Sequence, residues 1–381
     1  MIVADLFKSL PNGGRPKAAE YLILEIDGAP HIGLLSIEFS FGATDALHRI
    51  TAGVSEVPGA LTKKGSEAVL KAWRPNGQPE VLATGRVRRS YGDTAKPALR
   101  RFLEIESKAC DAVECAADGR RHGYNLKGKK LGEAAKVLFK DYGVPVKVET
   151  ESRTMDFAWA PGDRAFGVVE EHARKAGLLM TATPDGGVAQ YKGVRGRHAG
   201  RFILGTDDAN AVTLQFEDSE KGQFSHTHYF GQRYKAGKGK DETDGYSIVE
   251  NESIRRLRID IHRLEHDGDA EDLKQRAEWD NRRGAAGDGG NGTQIVVATP
   301  DWRDDDGTIW TAAFSRYVSA WEFELEQEMV VKSGVLSWSK EGQTARLTMV
   351  DPRSLGGKDA KGKSGKAWAV PTKKAKYEEL S

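Results

Sequence analysis

Met155–Tyr191, MDFAWAPGDRAFGVVEEHARKAGLLMTATPDGGVAQY, reads as strand, helix, glycine stop, apolar strand, tight turn and strand. Asp163 follows Pro161-Gly162 and is placed to cap the helix, its carboxylate accepting a backbone N–H of the first turn. Phe166, Val169, Ala173 and Ala176 recur at helical spacing and form the expected core face. Glu171, Arg174 and Lys175 fall on the other face, with Glu170 at the border. Gly177 ends the helix as a left-handed residue would. Leu178-Leu179-Met180 then reads as a buried strand, and Pro184-Asp185-Gly186-Gly187 as a hairpin turn. The segment carries no catalytic constellation. Its residues go into packing, which points to a scaffold.

The preceding stretch follows the same scheme. Leu131, Ala134, Ala135, Leu138, Phe139 and Tyr142 repeat at helical spacing, Gly143 closes the helix, and Val144–Glu149 is a strand. Helix, glycine and strand thus occur twice, which predicts a small α/β domain of about 80 residues. Upstream, Tyr21–Asp27 and Ile32–Phe41 flank Gly28-Ala29-Pro30 and suggest a hairpin. Val69–Trp73, Glu80–Arg88 and Arg101–Ser107 add strands, with Asn76-Gly77 as a turn. Downstream, strands are expected at Val212–Phe216, Gln223–Gly231, Ile254–Arg263, Thr293–Thr299, Tyr317–Leu325, Gly334–Ser339 and Ala345–Val350. Tyr234–Asn251 reads as an exposed loop, and Asp269 as the cap of a helix reaching Arg283. From Gly356 a lysine- and glycine-rich tail is expected to be mobile unless a partner orders it.

Composition narrows the classes. The chain has 381 residues, enough for several domains, and 57 Lys and Arg stand against 56 Asp and Glu, a net charge of +1. That balance argues against a dedicated nucleic-acid binder. No apolar run approaches the roughly 20 residues of a membrane span, and no signal peptide is visible. Cys110 and Cys115 alone make a poor zinc site and read as free thiols of a reducing cytoplasm.

Each tempting motif lacks a part its chemistry needs. Gly284–Gly292 has no following Lys-Ser or Lys-Thr and comes after a helix, so it is not a phosphate loop. His226-x-His228 places two imidazoles on one side of a strand, but no third ligand has recognisable spacing. His262 and His266 do not make H-E-x-x-H. Asp304-Asp305-Asp306-Gly307 lacks the alternating register and closing Glu of a calcium loop and reads as a solvated turn. No nucleophile elbow and no recognisable Cys–His arrangement is present. The tail lysines Lys358, Lys361, Lys363, Lys366, Lys373, Lys374 and Lys376 fit a solvated or partner-docking arm better than a DNA grip. Trp302, Trp310, Trp321 and Trp338 are expected to divide between core and subunit contacts. No residue is therefore assigned a catalytic, cofactor-binding or metal-binding role, and no cofactor is expected.

The order of these parts resembles the baseplate hub proteins of Mu-like phage tails, relatives of the late control protein D group, the T-even hub and the N-terminal part of type VI secretion spikes. YLILEIDGAPHIGLLSIEFSFGA (Tyr21–Ala43) is similar to the family's opening hairpin, and NLKGKKLGEAAKVLFKDYGVPVKVE (Asn125–Glu149) to its helix, tyrosine-glycine and strand. ARKAGLLMTATPDGGV (Ala173–Val188) is the core of a third block. DLKQRAEWDNRRGAAG (Asp272–Gly287), GTIWTAAFSRYVS (Gly307–Ser319) and VLSWSKEGQTARLTMVDP (Val335–Pro352) complete the series. The resemblance covers about residues 20 to 353; the loops Ser55–Glu67 and Tyr234–Asn251 depart from it.

The resemblance implies an α+β, mostly β fold, with two tube-like antiparallel β-barrels and an inserted small α/β domain. On this reading residues 1–115 with 200–232 form the first barrel and 116–199 the insertion. Residues 233–355 form the second barrel with flanking elements, and 356–381 a flexible basic tail. It further implies a homotrimeric ring in the virion tail baseplate, made in the host cytoplasm. Such a ring adapts a hexameric tail tube to a threefold spike. The implied partners are the tail tube protein, the central spike protein, other baseplate proteins, the tape-measure protein, and DNA passing without specific binding; the chain itself enters no membrane. Piercing activity is expected of another protein, since no lysozyme-like or β-helical extension is visible. The alternatives are a tail-associated cell-wall hydrolase and a monomeric glycan-binding β protein.

Overall fold

The computed structural model describes residues 20–31, 33–55, 63–75, 77–95, 98–204, 209–211, 213–231, 245–252, 254–264, 274, 276–280, 294–356, 361–364 and 376–379. Seven strands come first: β1 (Tyr21–Ile26), β2 (Ala29–Pro30), β3 (Leu34–Gly42), β4 (Arg49–Val54), β5 (Glu67–Trp73), β6 (Glu80–Ala95) and β7 (Ala98–Ser107). Helices α1 (Cys110–Glu114), α2 (Leu131–Phe139) and α3 (Ala165–Lys175) then alternate with β8 (Asn125–Lys130), β9 (Val146–Val148), β10 (Thr154–Ala158), β11 (Leu179–Ala182) and β12 (Val188–Tyr191). Strands return as β13 (Gly196–Ile203), β14 (Thr213–Glu217), β15 (His226–Gly231), β16 (Gly245–Glu250) and β17 (Ile259–Leu264). The last are β18 (Gln294–Thr299), β19 (Phe314–Ala320), β20 (Leu325–Ser339), β21 (Gly342–Val350) and β22 (Lys376–Glu379). The protein is mostly β, as expected.

The segment 155–191 folds as its spacing predicts, with one correction. Gly177 takes φ 64° and stops α3, and Gly143 takes φ 64° after α2. Left-handed backbone at these two positions favours glycine and turns the chain back into a strand. β11 and β12 form the expected hairpin, and β9 adds to β12 in parallel. Val169 and Ala173 are buried, while Phe166 is half-buried against the same cluster. Glu171 and Lys175, and Glu170 and Arg174, pair along the outer face. Asp163 is not the cap. The extended residue before the helix is Arg164, and Asp163 reaches back to accept the Ala160 N–H at 2.7 Å. The first-turn N–H of Ala165 bonds instead to the Cys115 carbonyl at 3.0 Å. These helices and strands share one hydrophobic cluster built on Leu131, Phe139, Phe157, Val169 and Val188.

The larger core lies on a 13-stranded sheet ordered β14-β18-β21-β20-β3-β4-β7-β6-β5-β1-β2, with β19 on β20 and β13 on β19. The expected pair of closed barrels is not what this path shows: it stays open at its ends and joins both halves of the chain through β3 and β20. The cause is the length of β20. Its first part pairs with β19 and its last part with β3, and β21 runs along the other side of the last part, reaching the first only at Val330. A register shift between Val331 and Ser333 marks a bulge where it passes from one half to the other. Gly334 lets β3 approach there, because a Cβ would stand 2.4 Å from the Phe41 ring.

Other expectations change for local reasons. β1 does not pair with β3. Asp27 and Gly28, at φ 50° and 79°, turn the chain onto the two-residue β2, and the Asp27 carboxylate ties this turn to Ser66 and Glu67. β13, β14 and β15 pair with strands after residue 244, not with the first seven. The loop expected over Tyr234–Asn251 contains β16, with Ser247 and Val249 buried. The strand expected over Ile254–Arg263 begins only at Ile259. The strand expected over Tyr317–Leu325 is broken by a 3-10 turn at Trp321–Phe323. The tail is not free where it is described: Gly362 bridges to Gln327, Ser364 is buried, and β22 pairs with β16. Asn76, Asp269 and Gly284–Gly292 lie outside the described residues.

Candidate functional site

A four-stranded sheet, ordered β17-β15-β16-β22, stands apart from the large one. Side chains alternate between its faces, and the pairing register fixes which residues share one. Thr227, Tyr229, Ser247 and Val249 are buried, with Tyr229 beside Arg276 and Asp280 of the helical residues 276–280. His262 belongs to this side. It stacks on Tyr229 at 4.9 Å and pairs with Asp260 at 2.9 Å.

The opposite face is open. Ile261, His228, Ile248 and Lys376 form one cross-strand row, and Ile259, His226 and Glu250 another. Phe230 and Tyr246 stack beside them at 5.9 Å. On β17 and just before it, Leu257, Ile259 and Ile261 are 72%, 50% and 64% exposed. His226 and His228 therefore share a side, as their spacing predicts, with Ile248, Ile259 and Ile261 beside them and Glu250 opposite His226. The Ser225 hydroxyl engages His226 Nδ1 at 3.0 Å. Among the described residues no group of three or more His, Cys, Asp or Glu is arranged for a metal.

A second polar constellation was not legible in the sequence. His198 on β13 lies against Asp304, 106 residues away, with Nδ1 3.0 Å from the carboxylate. Asp304 also accepts the backbone N–H groups of Ala199, Asp306 and Thr308 at 2.9–3.0 Å. The expected solvated turn is therefore solvated only at its tip; Asp304 itself is buried. Burial keeps His198 below the usual imidazole range, against the pull of Asp304. Burial alone would raise the Asp304 carboxyl, but the Thr308 N–H, His198 and the Ala199 N–H hold it below its ordinary value. The pair superficially resembles a catalytic dyad. Yet His198 Nε2 accepts the Thr311 backbone N–H at 3.1 Å, so it cannot take a proton from a nucleophile. Its Nδ1–H donates to Asp304. The pair is a structural latch.

Beside the latch, Arg303 donates Nε and Nη2 to Glu20 at 2.8 and 3.1 Å and Nη1 to Glu80 at 2.8 Å. Trp302 and Trp310 are buried, and Trp302 Nε1 donates to the Thr344 carbonyl at 3.0 Å. Trp321 is 62% exposed and Trp338 half-buried. A cavity of about 230 Å³ between these parts is lined by Phe39, Phe41, His48, Arg195 and Trp310. Burial pushes the His48 imidazole down to about 4, so it stays neutral there. Cys110 and Cys115 are free thiols, the first buried and pushed up to about 11 by burial. None of these groups is arranged as nucleophile, base and oxyanion site.

Residues 109–190 match a sequence family described as the second domain of gp44-like baseplate hub proteins. The chain is 22% identical over 340 residues to the baseplate hub protein gp44 of Escherichia phage Mu, covering 86% of each. In fold it is similar to the 43 kDa tail protein of prophage MuSo2 from Shewanella oneidensis, with a TM-score of 0.74 at 18% identity, covering 88% of this chain and 100% of that one. A tail protein from Neisseria meningitidis gives 0.73 at 15% identity, covering 88% and 99%.

Proposed function

For a chain that is a structural phage-tail protein of the baseplate hub kind, not of an enzymatic family, we propose a mechanical role as a trimeric ring. The ring adapts the hexameric tail tube to a threefold spike and leaves a channel for DNA or tape-measure protein. One observation carries this reading: the similarity to the Mu hub protein spans 86% of both chains. The closed His198–Asp304 latch supports the same reading, since this buried pair, which resembles a catalytic dyad, is committed to backbone groups.

The proposed division has a first tube-like half in residues 1–115, an α/β unit inserted at about 116–199, and a second tube-like half from about residue 200. The bulge in β20 is where the two halves meet. A ring made from related halves of one chain offers quasi-sixfold symmetry to the tube and threefold symmetry to the spike. The channel wall carries no strong field overall, in keeping with a net charge of +1, so DNA can pass without tight binding. Other baseplate proteins meet the outer surface. Light scattering on the purified chain tests the assembly: the expected mass is that of three 41.7 kDa subunits. A stable monomer at all concentrations would count against the ring.

A further inference from the structure

The cavity of about 230 Å³ lies where three parts of the chain meet. β3 and β6 give it Phe39, Phe41 and Leu82, β11 gives Ala182, and the stretch before β19 gives Trp310 and Ala312. All six are buried. Glu80, Val81 and Pro184 also line it and are exposed, so they mark its open side. The volume suits one six-membered ring with a substituent, since an apolar cavity of about 150 Å³ holds benzene. The charged groups of the lining are already paired. Arg195 donates Nε and Nη2 to Glu149 at 2.9 and 2.7 Å, and Glu80 accepts from Arg303 at 2.8 Å. The neutral donors are committed as well. Thr181 Oγ1 donates to the Gly42 carbonyl at 2.7 Å, Thr311 Oγ1 to the Ile309 carbonyl at 2.9 Å, and Trp310 Nε1 to the Asp301 carbonyl at 2.6 Å. Thr183 Oγ1 donates to the Asp185 carboxylate. His48 is the exception. It is 8% exposed, its ring stands edge-on to Phe39 at 5.1 Å, and its Nδ1 is buried without a hydrogen-bond partner. A buried polar group left in this state is costly and calls for a bound molecule or a functional role.

We propose that this cavity is a binding site for a small neutral aromatic alcohol, its ring held among Phe39, Phe41 and Trp310 and its hydroxyl hydrogen-bonded to the His48 imidazole. The ligand is aromatic because three of the buried walls are aromatic faces or edges. It is neutral because a charged group would give up its water and meet only charges that are already paired. It carries a hydroxyl because a hydroxyl both donates and accepts, and so serves a neutral imidazole in either tautomer. Burial keeps His48 neutral for this role. Because the walls come from three parts of the chain, an occupant bridges them and stabilises the folded joint by mass action. The site is independent of the ring reading.

Isothermal titration calorimetry of the full chain at neutral pH tests the site with two probes, phenol and toluene. They are nearly equal in size, and only phenol carries a hydroxyl. Phenol is expected to saturate one site per chain and to bind about tenfold more tightly than toluene, the difference that one neutral hydrogen bond makes. In His48→Phe, which keeps a ring and removes both nitrogens, phenol should fall to the level of toluene. The comparison of the two probes on the parent chain decides the matter even if that variant does not fold. No saturable binding of phenol to the parent chain, as for a cavity that holds water only, would overturn the site. Equal binding of phenol and toluene would overturn the assigned ligand class, and phenol binding unchanged in a folded His48→Phe would overturn the role of His48.

Discussion

Arg303→Ala is expected to lower stability by about 3–5 kcal/mol, the scale on which removing one partner of a buried ion pair acts. The guanidinium holds Glu20 through two nitrogens and Glu80 through a third, and also donates to the Gly307 carbonyl at 3.0 Å. The Glu20 side chain is fully buried, so without Arg303 its charge keeps only Arg74 at 3.2 Å. The contact also crosses 283 residues of sequence and ties the start of β1 to the turn after β18. Its loss should therefore loosen the joint between the two ends of the large sheet. Lysine at the same position should recover little of this, because a single ammonium cannot serve a bidentate site. Denaturant midpoints read the effect. Arg120→Ala provides the contrast: its partner Asp118 is close in sequence, the arginine is largely exposed, and no measurable change is expected. Equal effects at the two arginines would refute the assignment.

Asp304→Ala should cost a similar amount, about 3–5 kcal/mol, through a different cause. One carboxylate accepts from the His198 ring and from three backbone N–H groups, and all four donors lose their acceptor together. The variant also changes the acid limb of stability. Because the folded-state value of Asp304 is depressed, its contribution is present above the ordinary carboxylate range and is lost as pH falls through the lowered value. In Asp304→Ala the stability lost on acidification below about pH 4 should be smaller than in the parent. An unchanged slope would mean that the carboxylate is not the group that the latch depends on.

How much of this was readable without a structure depends on distance along the chain. Gly143 and Gly177 announced their helix ends because a left-handed stop is a local property. The face of α3 was legible for the same reason. β20 was not, because Glu326, Gln327 and Glu328 interrupt its apolar pattern. Gln327 is nevertheless fully buried, donating to Asp351 at 3.1 Å and engaging Ser364 at 3.2 Å. The pairing of β3 with β20 joins residues some 300 positions apart, and no local signal encodes it. His198 shows the same limit at the site. Nothing in Arg197-His198-Ala199 marks it, since its partners Asp304 and Thr311 are supplied by a distant turn. The open face was half legible: His226 and His228 were correctly placed on one side, but the isoleucines beside them belong to a strand whose start was misjudged.

Electron microscopy of purified tails that carry this chain, reconstructed without imposed symmetry, tests the central claim most directly. The account predicts three copies in a closed ring on the tail axis, between the end of the tube and the spike. A single copy per tail, or copies placed away from the axis, would contradict it.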